Sequence, residues 1–397
     1  METLNVIGGC YLESCVDPSY SELYGSGLRA AIALSGKSIA INFHTCVGED
    51  FHELLAYKSK LFGFKLSVLS IDATIGFEYY HPLSSPEINN LPETNHSLKP
   101  LKLQNVLHYG MIEADVKIEC DYLVYDPQNH VSFKKTGSTA NHLALILNRN
   151  EALILTENKL DALDSIGRTL LLQEKAEIVI IKNGSNGALV FHDDEITVVP
   201  VFETSKVWPI GSGDMFSATF AYEWMFNGKK AKDAAMIASS SVAQYCDTKE
   251  LPLTQSLHEY KPINRPGTAK HIYLAGPFFT LAERFLINET RYLLQQFSNE
   301  VFSPFHDAGI LHDVSSKKEV NKIVATDLSK IDKSDVVFAV LSGMDPGTIF
   351  EIGYAVAKGK KVVVFCENAK EGDLVMLLGS GCEITDDFST AIYKASW

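Results

Sequence analysis

"VVFAVLSGMDPGTIFEIGYAVAKGKKVVVFC", residues 336–366, begins and ends on short uninterrupted apolar runs. Runs rich in valine and phenylalanine, bounded by Gly, Asp and Lys, suit strands buried on both faces. Between them a Gly- and Pro-bearing turn leads into residues 348–358, whose apolar side chains recur every three or four positions, the period of a helix. Strand, helix and strand in one short span predict a βαβ unit and a parallel sheet.

The same alternation extends outward from this stretch. HIYLAG reads as a strand, LAERFLINETRYLLQQF as a helix, VFSPF as a strand and EVNKIVATDLSKIDKSD as a helix. Residues 270–397 are therefore expected to form a small doubly wound parallel-sheet domain of flavodoxin or Rossmann type. Ligands in such sheets lie outside the strand C-terminal ends, where Tyr273, Gly276, Asp345, Gly347 and Glu351 fall. Glu351 is read in the first turn or so of its helix, where the dipole favours the ionised form. A pocketed carboxylate anion can attack an anomeric carbon and form a glycosyl-enzyme. Asp327 and Asp345 are spaced to supply an acid or an orienting group. A lone acidic residue near a helix start is equally what helix preference alone would produce.

Upstream, residues 1–250 alternate apolar runs (LNVIGG, SIAINFHTCV, KLSVLSI, YLVYDP, ALILNR, IVIIKNG, ITVVPVF) with helical patterns such as GLRAAIALSG and DMFSATFAYEWMFNG. This predicts a second, larger layered α/β domain. Residues 79–100, rich in Pro, Asn and Ser, read as a loop or small flap over a site, and residues 251–269, with several prolines and little periodicity, as a linker. In PIGSGDMFSATF, residues 209–220, small residues Gly211, Ser212 and Gly213 stand at a helix mouth beside Asp214. Backbone amides and the helix N-terminus there can cradle a phosphate, and Asp214 can take the proton of an attacking hydroxyl. A plain N-capping loop would also read this way.

The motifs gather into two family resemblances. GSGD at 211–214, NRNE at 148–151 and IVIIKNGSNGALVF at 178–191 resemble the ribokinase-like (PfkB-type) kinases over about residues 1–250. The resemblance implies a ribokinase-like three-layer α/β domain and ATP- and Mg²⁺-dependent phosphorylation. It makes Asp214 the base, Gly211, Ser212 and Gly213 the anion hole, and Gly184 and Gly187 backbone positions near the nucleotide. Asn148 and Glu151 would support Mg²⁺. Two departures stand out: YGSGLRAAIALS carries Tyr24-Gly25 where the family has paired glycines and Arg29 near its sugar-binding Asn, and Glu13 stands where an early Asp grips sugar hydroxyls. If Arg29 faces the site, the acceptor carries a phosphate or carboxylate, or the domain only binds its ligand.

IYLAGPFF, ATDLSKIDKSDVVFAVL and DPGTIFEIGYA resemble the nucleoside 2-deoxyribosyltransferases across about residues 270–397. That resemblance makes Glu351 the nucleophile, Tyr273 the residue orienting it, Asp327 and Asp345 contacts to base and sugar, and Gly276 part of the pocket. It implies no cofactor for this half, transferase or hydrolase chemistry on nucleosides or nucleotides, and at least a homodimer.

Composition sets the outer bounds. The chain has 397 residues and a formal charge of −14, so it lacks the basic footprint of a nucleic-acid binder. Seven scattered cysteines without a CxxC pair, no signal-like start and no long apolar stretch point to a reduced, cytoplasmic protein away from membranes. Two functions are expected: a bifunctional enzyme of nucleoside or nucleotide metabolism, or a nucleotide-depleting N-glycosidase effector, as in phage defence, gated by a non-catalytic ligand-sensing N-terminal module.

Overall fold

In a computed structural model, which describes residues 2–160, 162–254, 259–263, 269–309 and 316–397, the chain divides into two compact units, Met1–Pro266 and Gly267–Trp397. The first is built on a ten-stranded sheet. Its strands are β1 (Thr3–Ile7), β4 (Ala40–Gly48), β5 (Lys65–Ile71), β8 (Asn105–Tyr109), β9 (Ile118–Asp126), β10 (Thr139–Asn148), β11 (Ile178–Lys182), β12 (Ala188–His192) and β13 (Glu195–Val199), with the two-residue Leu101–Lys102 at the side of β9. The order is β13-β12-β11-β10-β9-β8-β1-β4-β5. Pairing is parallel from β5 to β11 and antiparallel through β12 and β13.

The apolar runs are continuous because both faces of the sheet are covered. Alternate residues feed two cores: Leu107, Val124, Ile178 and Ile180 pack with helices α1 (Gly25–Leu34), α4 (Ser212–Met225) and α5 (Ala231–Thr248). Val106, Leu123, Val179 and Ile181 pack on the opposite face with α2 (Arg149–Leu155) and α3 (Leu163–Glu174). This is the expected three-layer α/β arrangement. A separate four-stranded sheet, β2 (Leu12–Cys15), β3 (Tyr20–Leu23), β6 (Gly76–Tyr79) and β7 (Glu87–Asn89), follows the C-terminal ends of β1 and β5. The stretch read as a flap, 79–100, supplies β7.

Part of the stretch read as a linker is tied to the first unit. Leu253 is buried and its amide donates to the Ala33 carbonyl, and Pro262–Ile263 pairs with Val201–Phe202. Residues 255–258 and 264–268 of that stretch lie outside the described residues.

The second unit is a five-stranded, wholly parallel sheet: β14 (His271–Ala275), β15 (Glu300–Phe302), β16 (Val336–Val340), β17 (Lys361–Phe365) and β18 (Glu383–Thr385), in the order β15-β14-β16-β17-β18. Numbered within the unit this is 2-1-3-4-5, the flavodoxin-like order, whose switch point lies between β14 and β16. The helices are α6 (Leu281–Gln296), α7 (Lys317–Lys333), α8 (Pro346–Ala357), α9 (Glu371–Gly379) and α10 (Phe388–Ser396). Tyr273, Ala275, Val337 and Ala339 face Ile331 of α7 and Ile352 and Ala355 of α8 in one core, so α8 is held directly over the switch point. No described helix is long and apolar enough to cross a membrane.

Candidate active sites

Gly211 takes a left-handed φ of 79° as the N-cap of α4, which turns the chain sharply into the helix. A Cβ there would lie 2.2 Å from Arg29 Nε, so glycine is also what lets the arginine in. Asp214 follows in the first turn of α4 and is buried. Arg29 Nη1 donates to Asp214 Oδ2 at 2.7 Å, and Gln128 Nε2 donates to Oδ1 at 2.8 Å. Arg29 Nη2 pairs with Glu13 Oε2, and the Gly25 amide donates to Glu13 Oε1 at 3.0 Å. Tyr109 Oη binds the Asp214 backbone carbonyl at 2.8 Å.

Arg29 is 1% exposed and so is not a surface helix residue. Burial works against its charge, but Glu13, Tyr245 and Asp214 hold it protonated even more firmly than usual. Glu13 is pushed up by burial and pulled back by Arg29. The predicted residues Glu13, Arg29 and Asp214 thus form one buried ionic cluster, with Gly211 against the arginine side chain.

On the other side of the Gly211–Gly213 turn lies a second ionic group. Lys182, at the end of β11, donates to Asp126 Oδ2 at 2.9 Å, and Ser217 Oγ donates to the same oxygen at 2.7 Å. A Cβ on Gly213 would lie 3.2 Å from Lys182 Nζ, which places the ammonium at the mouth of the α4 N-terminus. The amides of Gly213 and Asp214 make no backbone hydrogen bond among the described residues. An ammonium beside open helix amides is suited to an anion.

Asn148 and Glu151 form a reciprocal capping box on α2: the Asn148 amide donates to Glu151 Oε2 at 2.7 Å, and the Glu151 amide to Asn148 Oδ1 at 2.9 Å. Glu151 is pushed up to about 7, by burial first and then by the charge of Asp126. Asp126 Oδ1 is buried with no hydrogen-bond partner. Among the described residues no three His, Cys, Asp or Glu side chains converge as a closed metal site would need. An orphaned carboxylate oxygen beside a capped glutamate fits Mg²⁺ held mainly by phosphates and water, with one or two protein carboxylates. Gly184 and Gly187 sit in the turn of the β11–β12 hairpin; a Cβ on Gly187 would lie 2.0 Å from the Val199 carbonyl oxygen, so strand packing alone requires that glycine.

In the second unit, Tyr273 is fully buried in β14 and its Oη donates to Glu351 Oε1 at 2.5 Å. The helix carrying Glu351 starts at Pro346, which puts the carboxylate in the second turn and not the first. This corrects the dipole argument: burial decides its charge and pushes it up to about 7, with the Tyr273 hydrogen bond lowering it and Asp327 and Asp345 raising it. Tyr273 is itself driven far above the usual phenol range, by burial and then by Glu351. It therefore remains a donor.

Asp327, on α7, is pushed up to about 6 by burial, and its Oδ1 has no hydrogen-bond partner. Asp345 is the N-cap of α8: its Oδ2 accepts from the Thr348 amide at 2.7 Å and from Thr348 Oγ1 at 2.8 Å. A Cβ on Gly347 would lie 3.1 Å from that oxygen. At Gly276, just past β14, a Cβ would meet Ile287 Cδ1 at 2.7 Å, so the strand end packs directly on α6. A cavity of about 120 Å³ opens at the C-terminal ends of β16 and β17, lined by Leu341, Ser342, Gly343 and Met344 and by residues 365–369.

Sequence reasoning did not single out Asp126, Gln128 or Lys182. The signal was a charged residue ending an otherwise apolar strand, in YLVYD and IVIIK. Nothing local marked Gln128, which reaches Asp214 only through the fold.

Comparison with known proteins agrees with this division. Residues 272–386 match the family model described as nucleoside 2-deoxyribosyltransferase, and residues 111–250 that of the pfkB family carbohydrate kinases. The chain is a fusion of these two family regions. It is similar to 5-dehydro-2-deoxygluconokinase of Listeria innocua, 26% identical over 136 residues, 32% of this chain and 40% of that protein. It is also similar to deoxyribokinase of Salmonella typhi, 29% identical over 122 residues, 30% of this chain and 40% of that protein. The chain thus spans about two fifths of the length of the curated relatives it matches. Among solved structures, ribokinase from Giardia lamblia aligns with a TM-score of 0.49 at 15% identity, covering 63% of this chain and 96% of that one.

Proposed function

We propose that the second unit breaks the N-glycosidic bond of a nucleoside or nucleotide through Glu351. The 2.5 Å hydrogen bond from Tyr273 to Glu351 carries the reading. It aims one carboxylate oxygen and leaves the other to form a bond to the anomeric carbon as the C–N bond breaks. Asp327, with an uncommitted oxygen, is suited to accept a hydrogen bond from the base and orient it, while the departing base takes its proton from water. A second base or water then takes the sugar off Glu351, which makes the enzyme a transferase or a hydrolase. Asp345, Gly276 and Gly347 are proposed as substrate contacts on the strength of the family resemblance, and this half is proposed to need no cofactor. Exposed Leu281, Phe285 and Tyr292 along one side of α6 support a homo-oligomer of at least two copies, and seven unpaired buried cysteines support a reducing, cytoplasmic setting.

For the first unit the proposed reaction is phosphoryl transfer from ATP to a sugar or nucleoside hydroxyl. The amides of Gly213 and Asp214, with Lys182, would take phosphate, and Asn148, Glu151 and Asp126 would hold Mg²⁺, which supplies charge neutralisation on the transferred group. Asp214 acts as base only once Arg29 yields Oδ2. One observation favours a second reading, the ligand-sensing module: both Asp214 oxygens already accept side-chain hydrogen bonds.

Two assays test these readings. Free base released from a nucleoside and nucleoside-monophosphate panel should appear with the parent and vanish in Glu351→Ala; release that survives removes Glu351 from the chemistry. ADP formed with ATP, Mg²⁺ and a sugar or nucleoside panel should disappear in Asp214→Asn. Base release without ADP on any acceptor selects the sensing module.

A further inference from the structure

Parallel neighbours are normally joined by a crossover of a dozen or more residues, usually a helix that covers the sheet. Strands β8 and β9 are parallel neighbours, yet only residues 110–117 lie between them. This crossover contains no helix; its Ala114 and Asp115 pair with His96 and Ser97 instead. The sheet face turned away from α1, α4 and α5 is thinly covered there, and a cavity of about 350 Å³ opens, lined by Asn95, His108, Asp115, Tyr125, Asn129 and Lys135 among others. That volume lies within the ~300–1,000 Å³ of small-molecule sites.

His108 is 6% exposed, and its ring lies 5.1 Å from that of Tyr125. Among the described residues its nitrogens have no hydrogen-bond partner. Burial alone pulls it down to about 4, so at neutral pH the imidazole is uncharged, with one N–H to give and one lone pair to receive. Its nitrogens are not among the fully enclosed unpaired atoms, so the ring opens to the cavity and takes its partner there. Asn129 is committed, donating to the Met111 carbonyl and accepting from the Val131 amide. At the mouth Asn95 Nδ2 donates to Asp115 Oδ2 at 3.1 Å, leaving Oδ1 available. The Asp115 and Lys135 charges balance, so the wall selects neither anion nor cation. One phenol ring, one neutral imidazole, one uncommitted amide oxygen, one carboxylate and one ammonium suit a ligand with an apolar C–H face and several hydroxyls.

We propose that this cavity is a binding site for a neutral monosaccharide, with His108 at its floor and Asn95, Asp115 and Lys135 at its mouth. Two residues that hold Asp214 are chain neighbours of the cavity wall. Tyr109, next after His108, donates to the Asp214 carbonyl, and Gln128, just before Asn129, donates to its carboxylate.

The test uses the full chain and a panel of ribose, 2-deoxyribose, glucose and myo-inositol, with gluconate and AMP as charged controls. Binding is followed by the imidazole Cε1–H resonance of His108 and by calorimetry. At least one neutral sugar should shift that resonance, and His108→Phe should weaken its binding by about tenfold or more, the worth of one buried hydrogen bond. Ala114→Leu, which fills the cavity from another wall, should do the same and keeps the test decisive if His108→Phe fails to fold. No shift with any neutral sugar, a response to the charged controls alone, or an unchanged affinity in Ala114→Leu overturns the proposal.

Discussion

Asp214 in the first unit is a buried carboxylate and Glu351 in the second a half-buried one, each on a helix that follows a glycine-bearing turn, and their surroundings are opposite. Asp214 is held by two side-chain donors, one of them a buried arginine shared with Glu13. Glu351 has one neutral donor, Tyr273, and two further carboxylates within electrostatic reach. Compensated charge makes a stable, closed cluster. Under-compensated charge leaves a group poised near neutral pH, the condition associated with reactive carboxylates. Acidic side chains after similar turns are therefore locked by compensating partners in one unit and left under-compensated in the other.

The sharpest way to break this contrast is to remove the arginine. Arg29→Leu leaves Glu13 and Asp214 buried without their cation and should destabilise the first unit by about 3–5 kcal/mol, seen as a lowered calorimetric transition. A silent Arg29→Leu would mean that the cluster does not lock Asp214, which is then free to act as a base. In the second unit, Tyr273→Phe should cut the rate of base release by roughly ten- to a hundredfold, about 1.4–2.8 kcal/mol. It should also move the rising limb of the pH profile to higher pH, because the lost hydrogen bond lowers Glu351. An unchanged rate and profile would remove Tyr273 from any orienting role.

The smallest effect concerns pH directly. Glu351 must lose its proton to attack, so base release should rise with pH through about 7. Asp327 raises Glu351, so Asp327→Asn should shift that midpoint to lower pH while changing Glu351 ionisation at pH 8 by under ~3-fold, since most is already ionised there. A midpoint that stays put would show that the two carboxyls do not sense each other. Any loss at the plateau would measure the role of Asp327 in orienting the base.

Much of the architecture was legible along the chain. The runs VVFAVL, KVVVFC and IVIIKNG announce strands because parallel strands covered on both faces are apolar throughout. Other elements were silent. The helix Ala231–Thr248 is made of small residues without a strong apolar stripe, and the strands Leu12–Cys15 and Glu87–Asn89 are short and partly exposed. Arg29 was visible as an odd residue near a site, but its sequence position does not tell whether it points to water or to Asp214, 185 residues away along the chain.

Local composition and periodicity, then, determined that this protein has two α/β units and which glycine-opened helices carry Asp214 and Glu351. Those signals survive in sequence because burial and helix starts constrain neighbours a few residues apart. Only the tertiary structure decided what surrounds each carboxylate. The partners come from distant strands and helices: Arg29 and Gln128 on Asp214, with Glu13 behind Arg29, and Tyr273, Asp327 and Asp345 around Glu351, whose charge they and burial set.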